Sequence, residues 1–241
     1  MDKFSFSPIG YVASCYKEKF SIPRQPRLVS EATSSLRLTE GVASDEIIRG
    51  LEGFSHIWLV FVFHAIPSGQ WKPTVRPPRL GGNTRLGVFA TRSTNRPNPI
   101  GMSAVELLDI ERISGEIRIN LGSCDLLDGT PVLDIKPYIP YADSIPQAQA
   151  GFARQEPDRK LQVLLTEKSE MLANEASQRL GVNIPKFIEQ ILSMDPRPSY
   201  QAGQFGERVY AAKVYDFDLQ WRYISNDKIE VIDLLVMDDV K

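Results

Sequence analysis

The sequence predicts a mainly β fold followed by a small α+β part, and three observations carry this prediction. From residue 4 to about residue 140, short apolar segments alternate with Gly, Pro and Asp-Gly turns, a pattern that favours a barrel or a sandwich. Three prolines between residues 134 and 146 mark the start of a linker at 140–160. Two helical stretches and an alternating strand follow, so we divide the chain into residues 1–145 and 146–241.

The strands of the first part are predicted from apolar runs. Residues 57–63 read Ile-Trp-Leu-Val-Phe-Val-Phe without a polar break, which is typical of a strand covered on both faces. A short helix or turn is expected ahead of it, at residues 45–50. The other predicted strands are residues 9–13, 86–90, 103–110, 116–121 and 132–135.

Capping and stop residues delimit the elements of the second part. Thr166 is the expected N-cap of a helix over residues 167–180, and Gly181 is its expected stop. A second helix, residues 184–194, must end before Pro196 because the residue preceding a proline avoids helical backbone. Residues 215–223 alternate apolar and polar side chains, which predicts one strand of a hairpin with one buried face.

Composition excludes several classes of protein. The 241 residues are 42% hydrophobic and 24% charged, as in ordinary globular chains. The N-terminus has no signal-peptide core and the longest apolar run is too short to span a membrane, so we expect a cytoplasmic protein. Cys15 and Cys124 are expected to be buried thiols. The two histidines and two cysteines lack the spacing of zinc ligands, which argues against a metal site.

Positive charge is concentrated in one window without acidic residues. Residues 53–105 carry +6, which leaves −8 for the rest of a chain whose net charge is −2. Cations clustered in this way suit a polyanion such as RNA, although a solvated face is the alternative. Pro, Gly and Asn alternate with the arginines, so the cations are expected on stiff loops. They are Lys72, Arg76, Arg79, Arg85, Arg92 and Arg96.

The motifs resemble those of a known family that lacks the usual nucleotide loops. Neither Gly-x-Gly-x-x-Gly nor a Walker loop occurs, which argues against a Rossmann-type methyltransferase. Residues 87–98, Gly-Val-Phe-Ala-Thr-Arg-Ser-Thr-Asn-Arg-Pro-Asn, resemble the signature of the TsaA/TrmO-like family, bacterial tRNA methyltransferases acting on N6-threonylcarbamoyladenosine. The resemblance covers nearly the whole chain, and its other segments are residues 9–10, 16–26, 50–56, 76–83, 125–131, 134–138 and 195–200.

This resemblance implies both a fold and an activity. It implies a compact antiparallel β-barrel N-terminal domain that binds S-adenosylmethionine, a small α+β C-terminal domain, and a homodimer. The implied substrate is threonylcarbamoyladenosine at position 37, in the anticodon loop of threonine tRNA. One rival is an RNA-binding module that uses only the basic loops. A nucleotide-handling hydrolase is a weaker rival, because no metal cluster or phosphate-cradling loop is predicted.

The predicted cofactor contacts follow from the chemistry of S-adenosylmethionine and from the resemblance. Its carboxylate, ammonium, ribose and adenine need cations, carboxylates and flat apolar surface together. Arg92 offers a fork for a carboxylate, and residues 125–128 offer two carboxylates three positions apart. By resemblance the contacts are Pro23, Arg24, Gln25, Pro26, His64, Arg92, Met102, Asp125, Leu126, Leu127 and Asp128.

Four of these residues also have purely structural interpretations. Arg24 would serve equally as a solvent-facing turn residue, and His64 as a hydrogen-bonded core histidine at the end of a strand. Asp128 precedes a glycine and would cap that turn. Met102 is more often a packing residue than a ligand contact.

RNA contacts and catalytic residues complete the prediction. The predicted RNA-binding cations are Lys72, Arg76, Arg79, Arg85, Arg96 and Arg197, with Trp71, Tyr138 and Tyr141 as stacking aromatics.

The methylated nitrogen is of the urea type and is a poor nucleophile until its proton is removed. Asp195, on a Pro-stiffened segment at a helix end, is the predicted base, although a helix stop is the alternative interpretation. Lys136, Tyr138 and Asp125 are further catalytic candidates.

Overall fold

A computed structural model describes residues 4–67, 69, 71–81, 83–155, 161–197 and 205–237. The strands within these ranges are β1 Gly10–Ser14, β2 Ser34–Leu38, β3 His56–Val62, β4 Thr74–Val75, β5 Leu86–Gly87, β6 Ile100–Ile113, β7 Glu116–Leu121, β8 Pro131–Pro137, β9 Gln162–Leu165, β10 Val209–Val214, β11 Phe217–Tyr223 and β12 Lys228–Val236. The α-helices are α1 Asp45–Ile48, α2 Pro140–Asp143, α3 Glu167–Leu180 and α4 Ile184–Leu192.

Six antiparallel strands of the first part pair in a closed circuit, which we call the ring. Their order is β1-β2-β7-β6-β3-β8, and β8 pairs again with β1. Alternate side chains of each strand point inward because successive residues of a strand face opposite sides. Ile57, Leu59 and Phe61 of β3 fill the interior in this way and are at most 3% exposed. The mainly β prediction is therefore confirmed.

The outer face of β3 differs from expectation. The unbroken apolar run predicted a strand covered on both sides, but only its inward residues are fully buried. Trp58, Val60 and Val62 point outward and remain partly exposed. An apolar run alone does not distinguish a strand buried on both faces from a strand buried on one face and partly exposed on the other.

Several predicted elements have different bounds, and some were missed. The predicted strand at 86–90 pairs only over β5 and continues as a 3-10 helix, Val88–Ala90. The strand predicted at 103–110 is the longer β6. Sequence reasoning missed β2, β9 and β10, because short strands with polar residues give little periodic signal. The expected turn at 45–50 contains α1, whose N-cap Ser44 accepts a hydrogen bond from Ile47 N at 3.4 Å.

The second part forms a four-stranded sheet with helices packed against it. The strand order is β10-β11-β12-β9, and β9 runs parallel to β12. Thr166 Oγ1 caps α3 by accepting from Ser169 N at 3.2 Å, and Gly181 ends the helix with φ 68°, as predicted. The alternating strand is confirmed in β11, whose odd-numbered residues from Phe217 to Tyr223 are buried. No helix within the described ranges is both long and apolar enough to cross a membrane.

The two parts share side chains in one of their cores. The buried cluster around α4, β10, β11 and β12, which we call the second core, also contains Cys15, Tyr16, Val29 and Ala32. Both cysteines are buried, as expected, and burial raises the pKa of Cys15 to about 12. Residues 15–32 therefore leave the ring after β1 and pack into the C-terminal part before the chain returns as β2.

Polar contacts reinforce this crossing. The Tyr215 hydroxyl donates to the Glu31 carbonyl at 3.1 Å and accepts from Thr33 N at 3.4 Å. Gln190 Nε2 donates to Ser30 Oγ at 2.8 Å, and Gln190 Oε1 accepts from Glu31 N at 3.2 Å. The domain boundary at residue 145 stays a prediction. Residues 15–32 lie before this boundary but pack into the second core.

Candidate active site

Most of the predicted cofactor residues gather at one end of the ring. His64 follows β3, Met102 lies at the start of β6, and residues 125–128 join β7 to β8. Because neighbouring strands are antiparallel, the end of β3 and the starts of β6 and β8 meet at this end. The loop of residues 23–26 reaches the same end from the second core.

A hydrogen bond between two loops connects the predicted cofactor contacts. Arg92 Nη1 donates to Gln25 Oε1, and Gln25 Nε2 donates to the carbonyl of Arg24. Pro23 and Pro26 fix the backbone on either side, since proline restricts φ. The exposed Arg92 guanidinium keeps further N–H donors, because it carries five of them. Arg92 and Gln25 are thus brought together as predicted, with donors still available to a ligand.

Asp125 lies behind this pair with an elevated pKa. The Ser103 hydroxyl donates to Asp125 Oδ1 at 2.6 Å. Burial raises the pKa of the Asp125 carboxyl, and the Ser103 hydrogen bond and the charge of Arg92 oppose that rise. Leu126, the next residue, is 2% exposed and belongs to the ring core, while Leu127 is half-buried. The site therefore combines a guanidinium, a weakly acidic carboxyl and an apolar floor.

Asp128 is engaged within the chain. Its Oδ1 accepts from Ser14 N at 2.8 Å, and its Oδ2 pairs with Lys17 Nζ at 2.8 Å. Gly129 continues the turn with φ 74°, a conformation that glycine adopts without strain. These bonds support the turn-capping interpretation, and cofactor contact by Asp128 stays a prediction.

His64 and Met102 are exposed at the same end. His64 is a surface residue whose backbone N–H donates to Val62 O at 2.8 Å, so the interpretation as a buried core histidine is wrong. Met102 is 57% exposed and pairs in register with Val60 on the outer face of the ring. Lys19 Nζ donates to the Ala65 carbonyl, which ties the segment leading to residues 23–26 to the end of β3.

Asp195 and Arg197 form an ion pair on the second core. Arg197 Nε and Nη2 lie 2.9 and 2.8 Å from the two Asp195 carboxylate oxygens, and the Tyr223 hydroxyl donates to Asp195 Oδ1 at 3.0 Å. Burial alone would raise the pKa of Asp195, but the hydrogen bonds and charge of Arg197, with the Tyr223 hydroxyl, hold it below its ordinary value. The carboxylate is ionised and fixed, and Arg197 is too buried to meet RNA without leaving it.

Arg24 connects the two sides of the site. Burial and the neighbouring charge of Arg79 lower the pKa of Arg24, while the charge of Asp195 raises it. Arg24 is therefore within electrostatic range of Asp195 in the same chain, although neither residue forms an ion pair with the other. Arg79 donates to the Gln155 carbonyl. The charge of Asp195 thus reaches Arg24 in the 23–26 loop of the same chain.

Lys136 and Tyr138 lie at the other end of the ring. Lys136 pairs with Asp134 at 2.8 Å, and the Tyr138 ring packs 5.7 Å from Trp58 and 6.3 Å from His56. β8 has six residue steps, which at roughly 3.3 Å per residue separate its two ends by about 20 Å. These two residues are not brought to the cofactor loops of their own chain, and their catalytic role stays a prediction.

The predicted RNA cations fall into two groups. Lys72, Arg76 and Arg85 are exposed and have no hydrogen-bonding or ion-pair partner among the described residues. Arg96 instead turns inward, where its Nη1 donates to Thr91 O at 2.9 Å and braces the loop of residues 91–96. Trp71 is 47% exposed beside the first group. The outward cations remain available to an anionic partner, whereas Arg96 is committed within the chain.

Sequence reasoning missed four residues that shape the site. They are Ser14, Lys17, Ser103 and Tyr223, which hold Asp128, Asp125 and Asp195 in place. Ser103 stands beside Met102 in the chain, but nothing in the sequence pairs it with Asp125.

A shallow groove of about 390 Å³ lies elsewhere, between the ring and the second sheet, and includes Ser34, Arg118 and Tyr215. No group of three metal-ligating side chains occurs in the described part of the chain.

Comparisons with known proteins identify the family of the chain. The model of the tRNA-methyltransferase O N-terminal domain matches residues 11–144, and the model of the TrmO C-terminal domain matches residues 158–236. The chain is 48% identical over 222 residues to the tRNA (adenine(37)-N6)-methyltransferase of Escherichia coli K12, covering 92% of this chain and 94% of that protein.

A protein of Pseudomonas aeruginosa PAO1, provisionally named the S-adenosylmethionine-dependent methyltransferase RcsF, is 48% identical over 230 residues, covering 95% and 97% of the two chains. The crystal structure of TrmO from Pseudomonas aeruginosa superposes with a TM-score of 0.80 at 42% identity, covering 98% of each chain. Since both domain models match in order and together span most of the sequence, the chain belongs to the TrmO family.

Proposed function

We propose that this protein is an S-adenosylmethionine-dependent tRNA methyltransferase that methylates N6 of adenosine 37, and that its substrate carries the threonylcarbamoyl group. The observation that carries the proposal is that three groups act on the 23–26 loop: Arg92 binds Gln25, the buried Asp125 feels the charge of Arg92, and the charge of Asp195 reaches Arg24. The name and 48% identity of the Escherichia coli relative support N6 methylation of adenosine 37, while the threonylcarbamoyl substrate rests on the motif resemblance. The proposal places the protein in the cytoplasm, with tRNA.

The residues at this end of the ring fit the proposed cofactor. Arg92 has free N–H donors for a carboxylate, and Asp125 lies close enough to feel its charge. A buried carboxyl of this kind ionises readily beside a ligand ammonium, because an opposite charge lowers its pKa. Residues 23–26 and the half-buried Leu127 supply backbone groups and apolar surface for the nucleoside. Proposed contacts are Pro23, Arg24, Gln25, Pro26, His64, Arg92, Met102, Asp125, Leu126, Leu127 and Asp128.

Asp195 is the proposed base for the methylated nitrogen. S-adenosylmethionine, when bound, supplies a methyl group attached to a positively charged sulfur. When the carbon–sulfur bond breaks, the sulfur becomes a neutral thioether. Asp195 Oδ2 accepts the N6 proton of the threonylcarbamoyladenosine, so that the nitrogen lone pair is free to bond carbon. The lowered pKa keeps Asp195 ionised and ready, at the cost of weaker basicity.

The three unpaired cations are the proposed contacts to the anticodon loop. An adenosine in a single-stranded loop is moved into a pocket at little cost compared with one in a duplex. Replacing Lys72, Arg76 and Arg85 by Gln should weaken RNA binding and reduce the salt slope by about 2, because each phosphate left without its cation lowers the slope by roughly 0.7. The matched control is Arg112→Gln, whose guanidinium already pairs with Asp45 and Glu52. An unchanged salt slope in the triple variant would show that RNA binds through other residues.

A homodimer across the outer face of β3 and β6 is also proposed. Ile100 and Met102 are 42% and 57% exposed and lie in register with Val62 and Val60 on the outer face. Leu108, 53% exposed, follows beyond the exposed Glu106 on the same strand. Exposed apolar side chains grouped in this way are typical of a protein interface. In this dimer, Lys136 and Tyr138 would have to serve the site of the second copy to act in catalysis. Analytical ultracentrifugation of Leu108→Lys tests the interface, and an unchanged mass would contradict it.

Methyl transfer to defined RNA tests the activity. Anticodon stem-loops with either adenosine or threonylcarbamoyladenosine at position 37 should be incubated with radiolabelled S-adenosylmethionine, and the products identified by mass spectrometry. We expect methyl transfer only to the modified stem-loop.

Transfer to the unmodified stem-loop would support the methyltransferase activity but contradict the proposal that the substrate carries the threonylcarbamoyl group. Absence of both transfer and calorimetric cofactor binding would favour the second candidate, an RNA-binding module using Lys72, Arg76 and Arg85.

A further inference from the structure

Asp195 occupies a backbone conformation that side chains must hold in place. It follows α4 with φ 52°, in the left-handed region, which L-residues other than glycine seldom adopt and which Asp and Asn enter more readily than the rest. Pro196 then restricts the chain further. A carboxylate presented from such a turn has a fixed direction only if other groups bind it.

The hydrogen bonds to Asp195 are distributed unevenly between its two oxygens. Oδ1 accepts from Arg197 Nε at 2.9 Å, from Arg197 N at 3.3 Å and from the Tyr223 hydroxyl at 3.0 Å. Among the described residues, Oδ2 accepts only from Arg197 Nη2, at 2.8 Å. The side chain is 31% exposed. A carboxylate oxygen accepts about two hydrogen bonds, so Oδ2 keeps a free lone pair while Oδ1 is saturated.

Tyr223 supports both members of the ion pair. Its hydroxyl binds Asp195, and its ring lies beneath the Arg197 guanidinium, with the guanidinium carbon 3.6 Å from the ring centroid. Tyr223 is 1% exposed and belongs to the second core, where the Tyr210 ring contacts it edge-on at 5.0 Å. Stacking and hydrogen bonding from one rigid aromatic residue fix the guanidinium plane and the carboxylate together.

We propose that Tyr223 and Arg197 are positioning residues for methyl transfer, which saturate Asp195 Oδ1 and leave Oδ2 directed at the substrate nitrogen beside residues 23–26. This inference rests on the proposed function, in which Asp195 accepts the N6 proton. It assigns Arg197 to the active site in place of the RNA contact predicted from sequence. Tyr223 enters the site although it lies on the hairpin of β11 and β12, far along the chain from the cofactor loops.

The expected pH dependence follows from the groups that face Asp195. These are Arg197, Tyr223 and, across the junction, Arg24, while Tyr210 faces Arg197. Removing the Tyr223 hydroxyl takes a donor from the ionised form, so the pKa of Asp195 rises. Since the carboxylate is the active form, activity is lost as pH falls through this pKa. The acid limb of kcat therefore moves to higher pH in Tyr223→Phe.

Two measurements test the proposal, and Tyr210→Phe is the matched control. The Tyr210 hydroxyl is buried and has no hydrogen-bond partner in the part of the chain that the structure describes, so its removal leaves the Asp195 bonds intact. The Asp195 carboxyl should be titrated by carbon-13 NMR in the ligand-free protein, and kcat and KM should be measured against pH with modified stem-loop RNA. In Tyr223→Phe we expect the NMR pKa and the acid limb to rise together by roughly one unit, a tenfold change in ionisation, with KM unchanged.

The possible outcomes distinguish a positioning role of Tyr223 and Arg197 from a purely structural role. They also distinguish failure of this proposal from failure of the proposed function. An NMR shift without movement of the acid limb, or no shift at all, overturns the proposal. If Tyr223→Phe does not fold, Arg197→Lys keeps the charge but loses the two-point fork, and the same shift is expected. If the unaltered protein transfers no methyl group, the proposed function fails, while the NMR titration still tests whether Tyr223 and Arg197 govern Asp195.

Discussion

The ring and the second core each carry one aspartate of the candidate site, Asp125 and Asp195. Their surroundings shift the pKa values of the two carboxyl groups in opposite directions. At the ring end, burial raises the pKa of Asp125, and its direct partner is the neutral Ser103 hydroxyl. On the second core, the Arg197 fork outweighs burial and lowers the pKa of Asp195. Two carboxyls with separated pKa values are suited to different roles, one adjusting its charge to a ligand and one ionised at neutral pH. The surroundings, and not the residue type, set the role.

The largest expected effect is on the second-core carboxylate. Asp195→Asn keeps the shape but removes the acceptor, so kcat should fall by about 10²–10⁴, the usual contribution of a general base. The Kd for S-adenosylmethionine should stay the same. Single-turnover kinetics and calorimetry measure the two quantities. Full activity in this variant would remove Asp195 from the chemistry and leave it as a helix stop.

A core substitution tests whether the second core holds the 23–26 loop. Phe187 is fully buried, with its ring 6.3 Å from Tyr16 and 5.1 Å from Tyr215. Phe187→Ala should cost about 3–5 kcal/mol of unfolding free energy, measured by chemical denaturation. It should also weaken cofactor binding well below the melting temperature. The control Ile57→Ala, at the far end of the ring, should destabilise by about 2–5 kcal/mol without changing cofactor affinity.

The ring side of the loop is tested at Arg92. Arg92→Lys retains the charge but loses the planar fork that reaches Gln25 and a ligand carboxylate. We expect about a tenfold loss of cofactor affinity, equivalent to about 1.4 kcal/mol, with kcat at saturating cofactor little changed. A loss confined to kcat would contradict the assignment of Arg92 to binding.

The smallest effect is a contrast in how stability depends on pH. The raised pKa of Asp125 means that its neutral form stabilises the fold relative to its ionised form. This contribution to the free energy of unfolding is fully present below the unfolded pKa of about 4 and is lost as pH rises through the folded pKa. For Asp195 the stability is present above about pH 4 and is lost as pH falls through its lowered pKa.

Denaturation at several pH values should therefore show opposite changes in the two variants. Asp125→Asn should flatten the curve on its neutral side, and Asp195→Asn should flatten it on its acid side. Parallel changes in the two variants would show that the two surroundings are equivalent.

The elements that could be predicted are those in which local chemistry agrees with the fold. Thr166 caps α3, Gly181 stops it, and the alternation of β11 matches its buried face. β2 escaped notice because Ser34 and Ser35 interrupt its apolar pattern, and only pairing with β1 and β7 makes it a strand. Long-range pairing of this kind leaves no signal in a single segment.

The candidate site was predictable by residue type more than by role. The loops containing Arg24, Arg92 and Asp125 were predicted from the family resemblance and from their stiff, charged sequences, and their cofactor contacts stay a prediction. Arg96 and Arg197 looked like outward cations, but each is bound within the chain. An isolated arginine gives no indication of whether its partner is a carbonyl of the same loop, a carboxylate two residues away or an RNA phosphate.

The crossing of residues 15–32 into the second core also sets an order for folding. These residues are synthesised early, yet their partners Gln190 and Tyr215 are 159 and 184 positions away from Glu31. Contacts so distant in sequence form late, because a long loop must close first. On the ribosome, the ring strands have their partners before the C-terminal part emerges, and the 23–26 loop does not. The ability to bind a cofactor is thus gained last, when the whole chain is complete.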